Sequence, residues 1–243
     1  LSSNFFAAVD VSTPIGGEAR PAFFRDTLGT TLFVGSKEQG VLQFDDIDTV
    51  ASQPANLMAS FGNQTRSSNN SNETPFGISK RSGRNQFLIR ASELQQQGFI
   101  YGSINSISFF ITDRGSSQID AGATIKFKNT SSSTLDSFET GFPAPFALPT
   151  QFVIFNNGWN QISLTNPFVW DGQSNLVVEV CFRANFPGND IKVALSDAGF
   201  NSHAWGNITG FNTLSANGCA MPYQTSSTMR PDVSLNLVPS GNP

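Results

Sequence analysis

Four kinds of residue in this chain carry groups that could do chemistry. They are one histidine, two cysteines, three tryptophans and a scatter of carboxylates. His203 lies in "FNSHAWGN". Used as a general base, a histidine needs a serine or cysteine nucleophile held at an activated position. No G-x-S-x-G elbow accompanies it, so a structural or surface histidine in a loop is expected. Glycoside hydrolysis would need two carboxylates facing each other across a groove. Glu139 and Glu179 are the candidates because both lie near strand-like runs. In "LVVEVCF", alternation places Glu179 on the same face as Val177 and Cys181.

Oxygen ligands on loops suit Ca²⁺. "FDDIDT" supplies Asp45, Asp46 and Asp48, and "TDRGSSQIDAG" supplies Asp113 and Asp120 around a glycine-containing turn. Neither has EF-hand spacing, and ordinary acidic turns account for both equally well. No other cofactor is expected. Zinc would need about four ligands, which one histidine and two cysteines do not provide. Cys181 and Cys219 are expected to pair as a disulfide. Such a bond closes a loop of about 40 residues, worth roughly 3.5–4 kcal/mol in the chain-entropy model. Trp159 and Trp205 are candidate glycan platforms, because a flat ring with a polar edge suits sugar stacking. Trp170 begins "WDGQSN", where Asp-Gly and Ser-Asn are turn residues. It is expected to be a core or sheet-edge anchor.

The elements that would position these residues are strands. Charged residues make up 13% of the 243, against about 25% in a typical soluble domain. Ser, Thr, Asn, Gln and Gly must therefore cover the surface, as in many secreted β proteins. Strands are expected near 30–34, 40–44, 105–111, 123–128, 151–155, 160–165, 175–182, 190–195 and 232–238. "ATIKFKN" alternates cleanly, with Ile125 and Phe127 on one face and Lys126 and Lys128 on the other. One short helix is expected over 90–98, with Ser92 as its cap and Gly98 as its stop. The fold class is all-β: an antiparallel β-sandwich, jelly-roll-like, spanning 66–240. Before it lies a Phe-rich N-terminal extension, 1–65, joined through the polar run "QTRSSNNSNET".

Phe5-Phe6 and Phe23-Phe24 are adjacent pairs in that extension. Neighbours on a strand point to opposite faces, so both faces must be covered. The cover is either the main domain or a neighbouring subunit. Net charge is -4, which argues against a nucleic-acid binder. The basic residues Lys80, Arg81, Arg84 and Arg90 read as a solvated loop. No apolar run reaches the roughly 18 residues of a membrane span.

Four segments occur in order: "FLIRASELQQQGFIYGSINSISFFI", "ATIKFKNTSSSTLDSF", "GWNQISLTNPFVWDGQSNLVVEVCF" and "RPDVSLNLVP". Together they resemble a β-sandwich unit of large surface proteins of Bacteroidetes exported by type nine secretion. The resemblance covers about Thr74 to Pro239, and the signature from Gly158 to Leu176 is its most specific part. It implies secreted, extracellular work at the cell surface and brings no catalytic residues. The expected partners are other copies of the chain or other surface proteins, and glycans. In that context "DTL" and "DTV" resemble the O-glycosylation triplet of such proteins, placing sugar on Thr27 and Thr49. The function expected is a non-enzymatic structural or adhesive subunit, with a carbohydrate-binding module and a glycosidase or lyase as alternatives.

Overall fold

The computed structural model describes residues 56–80, 82–115, 123–143, 156–183, 188–208 and 218–239. It also describes, as strand backbone alone, 23–25, 32–36, 40–44, 118–119 and 152–153. The chain divides into two compact units, Leu1–Gln53 and Pro54–Pro243. The first contains an antiparallel three-stranded sheet: β1 (Phe23–Arg25), β2 (Leu32–Ser36) and β3 (Gly40–Phe44). Phe23 and Phe24 stand opposite Val34 and Phe33 on adjacent strands of that sheet. Phe5, Phe6, Thr27, Thr49, Asp45, Asp46, Asp48 and Asp120 lie outside the described residues.

The second unit begins with β4 (Leu57–Phe61), β5 (Arg66–Ser67) and β6 (Ser82–Ile89), followed by the helix α1 (Ala91–Gln96). Next come β7 (Gly102–Asp113), β8 (Gln118–Ile119), β9 (Ala123–Thr130), β10 (Phe152–Val153) and β11 (Gly158–Trp170). The chain ends with β12 (Asn175–Arg183), β13 (Lys192–Asp197), β14 (His203–Ile208), β15 (Thr225–Ser227), β16 (Met229–Pro231) and β17 (Val233–Pro239). A seven-stranded sheet runs β16-β13-β7-β17-β4, with β11 also pairing β7 and β5 pairing β13. A five-stranded sheet runs β15-β14-β6-β12-β9, and β8 and β10 form a separate pair. Every pairing among the described residues is antiparallel.

The two larger sheets pack face to face as a β-sandwich, as expected. Phe87, Ile125, Phe127, Val178 and Val180 from the smaller sheet meet Ile107, Phe109, Val193, Val233 and Leu235 from the larger. All are buried. Alternation along each strand generates this interior: one residue in two faces the partner sheet. Phe109 packs edge-on against Phe76 and Phe87 at 5.0 and 5.9 Å between ring centroids.

Two expectations change. The main unit begins at Pro54 rather than residue 66, because β4 pairs along β17 from Leu57↔Leu237 to Phe61↔Val233. The polar run after it is anchored, not a free linker. Ser68 donates its amide to Val193 and accepts Val193's amide on its hydroxyl, and Arg66 pairs with Glu73 at 2.9 Å. The turn at Asp171–Ser174 links the two larger sheets. It carries the chain from β11 in the larger sheet to β12 in the smaller.

That corner is pinned by side chains. Asp171 Oδ1 accepts the amides of Gln173 and Ser174 at 2.9 and 2.7 Å. Gly172 takes φ +79°, which favours glycine. Trp170 is fully buried in the core and donates its indole N–H to Ser174 O at 2.8 Å. The anchor reading of Trp170 therefore holds. The helix α1 matches its expected place, but its N-cap residue is Arg90 rather than Ser92, and Glu93 Oε2, three residues on, accepts the Arg90 amide at 2.9 Å. Gly98, at φ +83°, ends it as expected.

Candidate functional site

The residues with the most chemical potential gather on the outward face of the five-stranded sheet. Register places Glu179 between Gln86 and Lys126, and Cys181 between Arg84 and Thr124. Directly opposed residues in antiparallel strands share a face. Glu179 therefore meets its partners without any long side-chain reach. Its Oε2 accepts Arg84 Nε at 2.6 Å and Gln86 Nε2 at 2.7 Å. Its Oε1 accepts Lys126 Nζ at 2.8 Å. Only 1% of the Glu179 surface is exposed, so solvent does not supply its hydrogen bonds.

Glu139 lies close by, in the segment that covers this face. Its backbone amide donates to Gln86 Oε1, and its carbonyl accepts from Arg84 Nη2 and Gln86 Nε2. Its carboxylate takes Lys128 Nζ at 2.7 Å and the hydroxyls of Ser132 and Thr130. Partial burial acts to raise its pKa, but Lys128 and the hydroxyls outweigh that and hold it below the usual carboxylate value. Phe138, next in the chain, receives the Arg84 guanidinium at 4.2 Å from its ring centre.

The sequence thus marked two carboxylates that the fold does bring to one face. There both stand in ion pairs, Glu179 with Arg84 and Lys126 and Glu139 with Lys128. A general acid must hold a proton and release it in the transition state. Glu139 is instead bonded to the Lys128 ammonium, which favours its ionised form, and Glu179 is bonded to the Arg84 guanidinium and the Lys126 ammonium. Three hydrogen bonds occupy most of the lone-pair sites of Glu179.

The disulfide Cys181–Cys219 is present, with Cα atoms 5.1 Å apart and a sequence separation of 38. Thr124 Oγ1 and Lys126 Nζ each lie 3.2 Å from Cys219 Sγ. Ligand-type atoms of Glu179, Cys181 and Cys219 fall within 4.8 Å of one another. With both sulfurs in the disulfide and Glu179 held by two cations, this trio does not offer a metal its anionic donors. The bond fastens the one-turn 3-10 helix Gly218–Ala220 onto β12.

His203 is not in a surface loop. It lies on β14 facing the core, fully buried, with Nε2 3.1 Å from Asn85 Oδ1 and its ring 5.0 Å from that of Trp205. Burial pushes its pKa down to about 4, against weaker opposing effects of the Met229 backbone and the Glu73 charge. The unfolded chain takes up this proton near pH 6.5, but the folded chain resists until about pH 4. His203 therefore supports stability fully above pH 6.5, and that support is lost as pH falls toward 4. The full gap is worth about 3 kcal/mol. Urea unfolding at about pH 7 and about pH 4 is expected to show this loss, and His203→Gln to flatten the dependence by a similar amount.

The tryptophans separate. Trp205 is 9% exposed and packed beside His203, so it presents no glycan platform. Trp159 is 43% exposed on β11, not in a loop, with its ring edge-on to Phe110 at 5.4 Å. Asp113 is exposed and makes a local turn: its Oδ1 accepts the Gly115 amide at 3.1 Å, and Lys192 lies 3.5 Å away. The Gly115 hydrogen bond holds its carboxyl below the usual range. The other carboxylate of that candidate site, Asp120, lies outside the described residues.

Arg84, Gln86 and Lys126 were not marked as site residues by sequence. Arg84 reads there as part of a basic loop; it stands on β6 and neutralises Glu179. The signal for Lys126 was present in the alternation of "ATIKFKN", but its partner is chosen by register across strands. Among the described residues no helix is long and apolar enough to cross a membrane. No family model, curated protein or solved structure matches this chain.

Proposed function

We propose that this chain is a non-enzymatic structural or adhesive subunit working at a cell surface, and that it acts by associating with other copies or other surface proteins. One observation carries the reading. Glu139 and Glu179 are engaged in bracing a sheet, while no described strand pairs the second edge of β11, an uncharged strand with an exposed tryptophan. The disulfide suits an oxidising, extracellular setting. The motif resemblance to type nine exported surface proteins of Bacteroidetes supports the same setting.

In this reading the N-terminal Phe pairs are covered by a neighbouring subunit, as in strand addition. Deleting residues 1–27 from the full chain is expected to abolish or shrink assemblies seen by light scattering and electron microscopy. Assemblies unchanged by the deletion would refute that role for the N-terminal segment.

The exposure of Trp159 favours a second reading, a carbohydrate-binding surface. Glycan-array binding that Trp159→Ala removes, from a protein that stays monomeric, would favour it over assembly.

A further inference from the structure

Sheet edges are where strands recruit other strands, because their outer N–H and C=O groups lack partners. The edges of this sandwich differ in how they are protected. At one end of the smaller sheet β15 has only three residues, too few to template much pairing. At the other end β9 carries Lys126 and Lys128, both tied to carboxylates. In the larger sheet β16 has three residues and β4 five. The exception is β11, with thirteen residues. It pairs β7 along one side, and no described strand pairs its other side.

The two halves of β11 are not alike. From Gly158 to Ser163 it runs in unbroken register against β7, from Ile111 to Ser106. Between Ser163 and Phe168 the register breaks, and Pro167 sits in the irregular stretch. Bulges and proline are standard ways of closing an edge to pairing. The second half is protected and the first is not. Residues 156–170 contain no Asp, Glu, Lys or Arg. Trp159, Gln161 and Ser163 are exposed, while Ile162 and Leu164 pack partly against the core.

We infer that the edge of Gly158–Ser163 that no described strand pairs is a self-association site, at which a second copy of this chain adds the same strand antiparallel across a two-fold axis. This deepens the structural-subunit reading above and rests on it. The absence of charge selects the occupant. A two-fold antiparallel contact sets residue i against a second residue j and only its central residue against its own copy, and with no charge in 156–170 no register of this strand opposes like charges. A strand recognising a different protein gains specificity from complementary charge, and β11 offers none.

Face matching restricts the register further. Opposed residues must both point outward or both point inward, so the two residue numbers must sum to an even number. Placing Gln161 opposite its own copy satisfies this. It sets Trp159 against Ser163, large against small, and uses 159–163 without entering the bulge. The neighbouring register, centred on Asn160, is less suited. Asn160 Nδ2 already donates to the carbonyls of Asn156 and Gly158.

The test is sedimentation equilibrium on the full chain, with Gln161→Lys and Gln161→Glu variants. Wild type is expected to dimerise reversibly. Each variant alone is expected to self-associate at least about fivefold more weakly, from like charges directly opposed. An equimolar mixture of the two is expected to recover dimers, which also shows that both variants fold. Wild type that stays monomeric would overturn the inference, as would variants that associate like wild type or a mixture that fails to recover. The second of these results leaves the structural-subunit reading standing and removes only this edge as its route.

Discussion

Glu179→Ala is expected to lower folding stability by about 3–5 kcal/mol, measured as a shift in denaturant midpoint. The reasoning concerns what the change leaves behind. Arg84 and Lys126 are mostly buried, with side chains 14% and 17% exposed. Without the carboxylate they become two like charges on adjacent sides of one strand, each desolvated and uncompensated. Gln86 Nε2 retains the Glu139 carbonyl but loses its carboxylate partner. Glu179→Gln is expected to be nearly as damaging, since it keeps the volume but not the charge. Replacing Glu179, Arg84 and Lys126 together by apolar residues of similar volume should recover much of the loss, because the pair's desolvation cost disappears with it. Wild-type stability in Glu179→Ala would show that the cluster does not brace the sheet.

Loss of the disulfide is expected to cost about 4 kcal/mol in a Cys181→Ser, Cys219→Ser double variant. The segment between the two cysteines contributes β13 to the larger sheet and β14 to the smaller. Cross-linking its ends restricts an unfolded chain that must otherwise place strands in both sheets. Guanidinium unfolding of the double variant beside the oxidised parent measures the difference. A change under about 1 kcal/mol would mean that the bond leaves the unfolded ensemble largely unconstrained.

Much of the fold is legible in the residues, and the reason is alternation. Ala123–Thr130 reads as a strand because Ile125 and Phe127 face the core while Lys126 and Lys128 face outward. Asn175–Arg183 reads as one because its run is apolar on both sides, and in the structure both sides are covered. By contrast β6, Ser82–Ile89, hides in a stretch rich in Arg, Asn and Gln. Those polar side chains look solvated in isolation, and only the neighbouring strand and the segment covering the sheet reveal Glu179 and Glu139 as their partners. The strand β14 hides in the same way behind His203, Gly206 and Asn207. Gly206 has a packing reason, since a Cβ there would overlap Pro222 O.

The site was half legible. Glu139, Glu179 and the two cysteines stand out by residue type, and the structure does bring the two carboxylates and the disulfide to one face. Their neutralisation does not stand out, because it depends on register between strands far apart in sequence. Glu179 and Lys126 are opposed only once β9 and β12 pair from Ala123↔Phe182 to Thr130↔Asn175. Trp159 and Trp205 are equivalent candidates by composition. Burial alone separates them, with Trp159 exposed on β11 and Trp205 turned toward His203.

The claim at the centre of this account is that the chain works by association and not by turnover. The most direct measurement is the mass of the native particle in solution, by light scattering on protein isolated without denaturation. The account predicts particles containing two or more copies, dissociating on dilution. A particle containing a single copy at every concentration would contradict it.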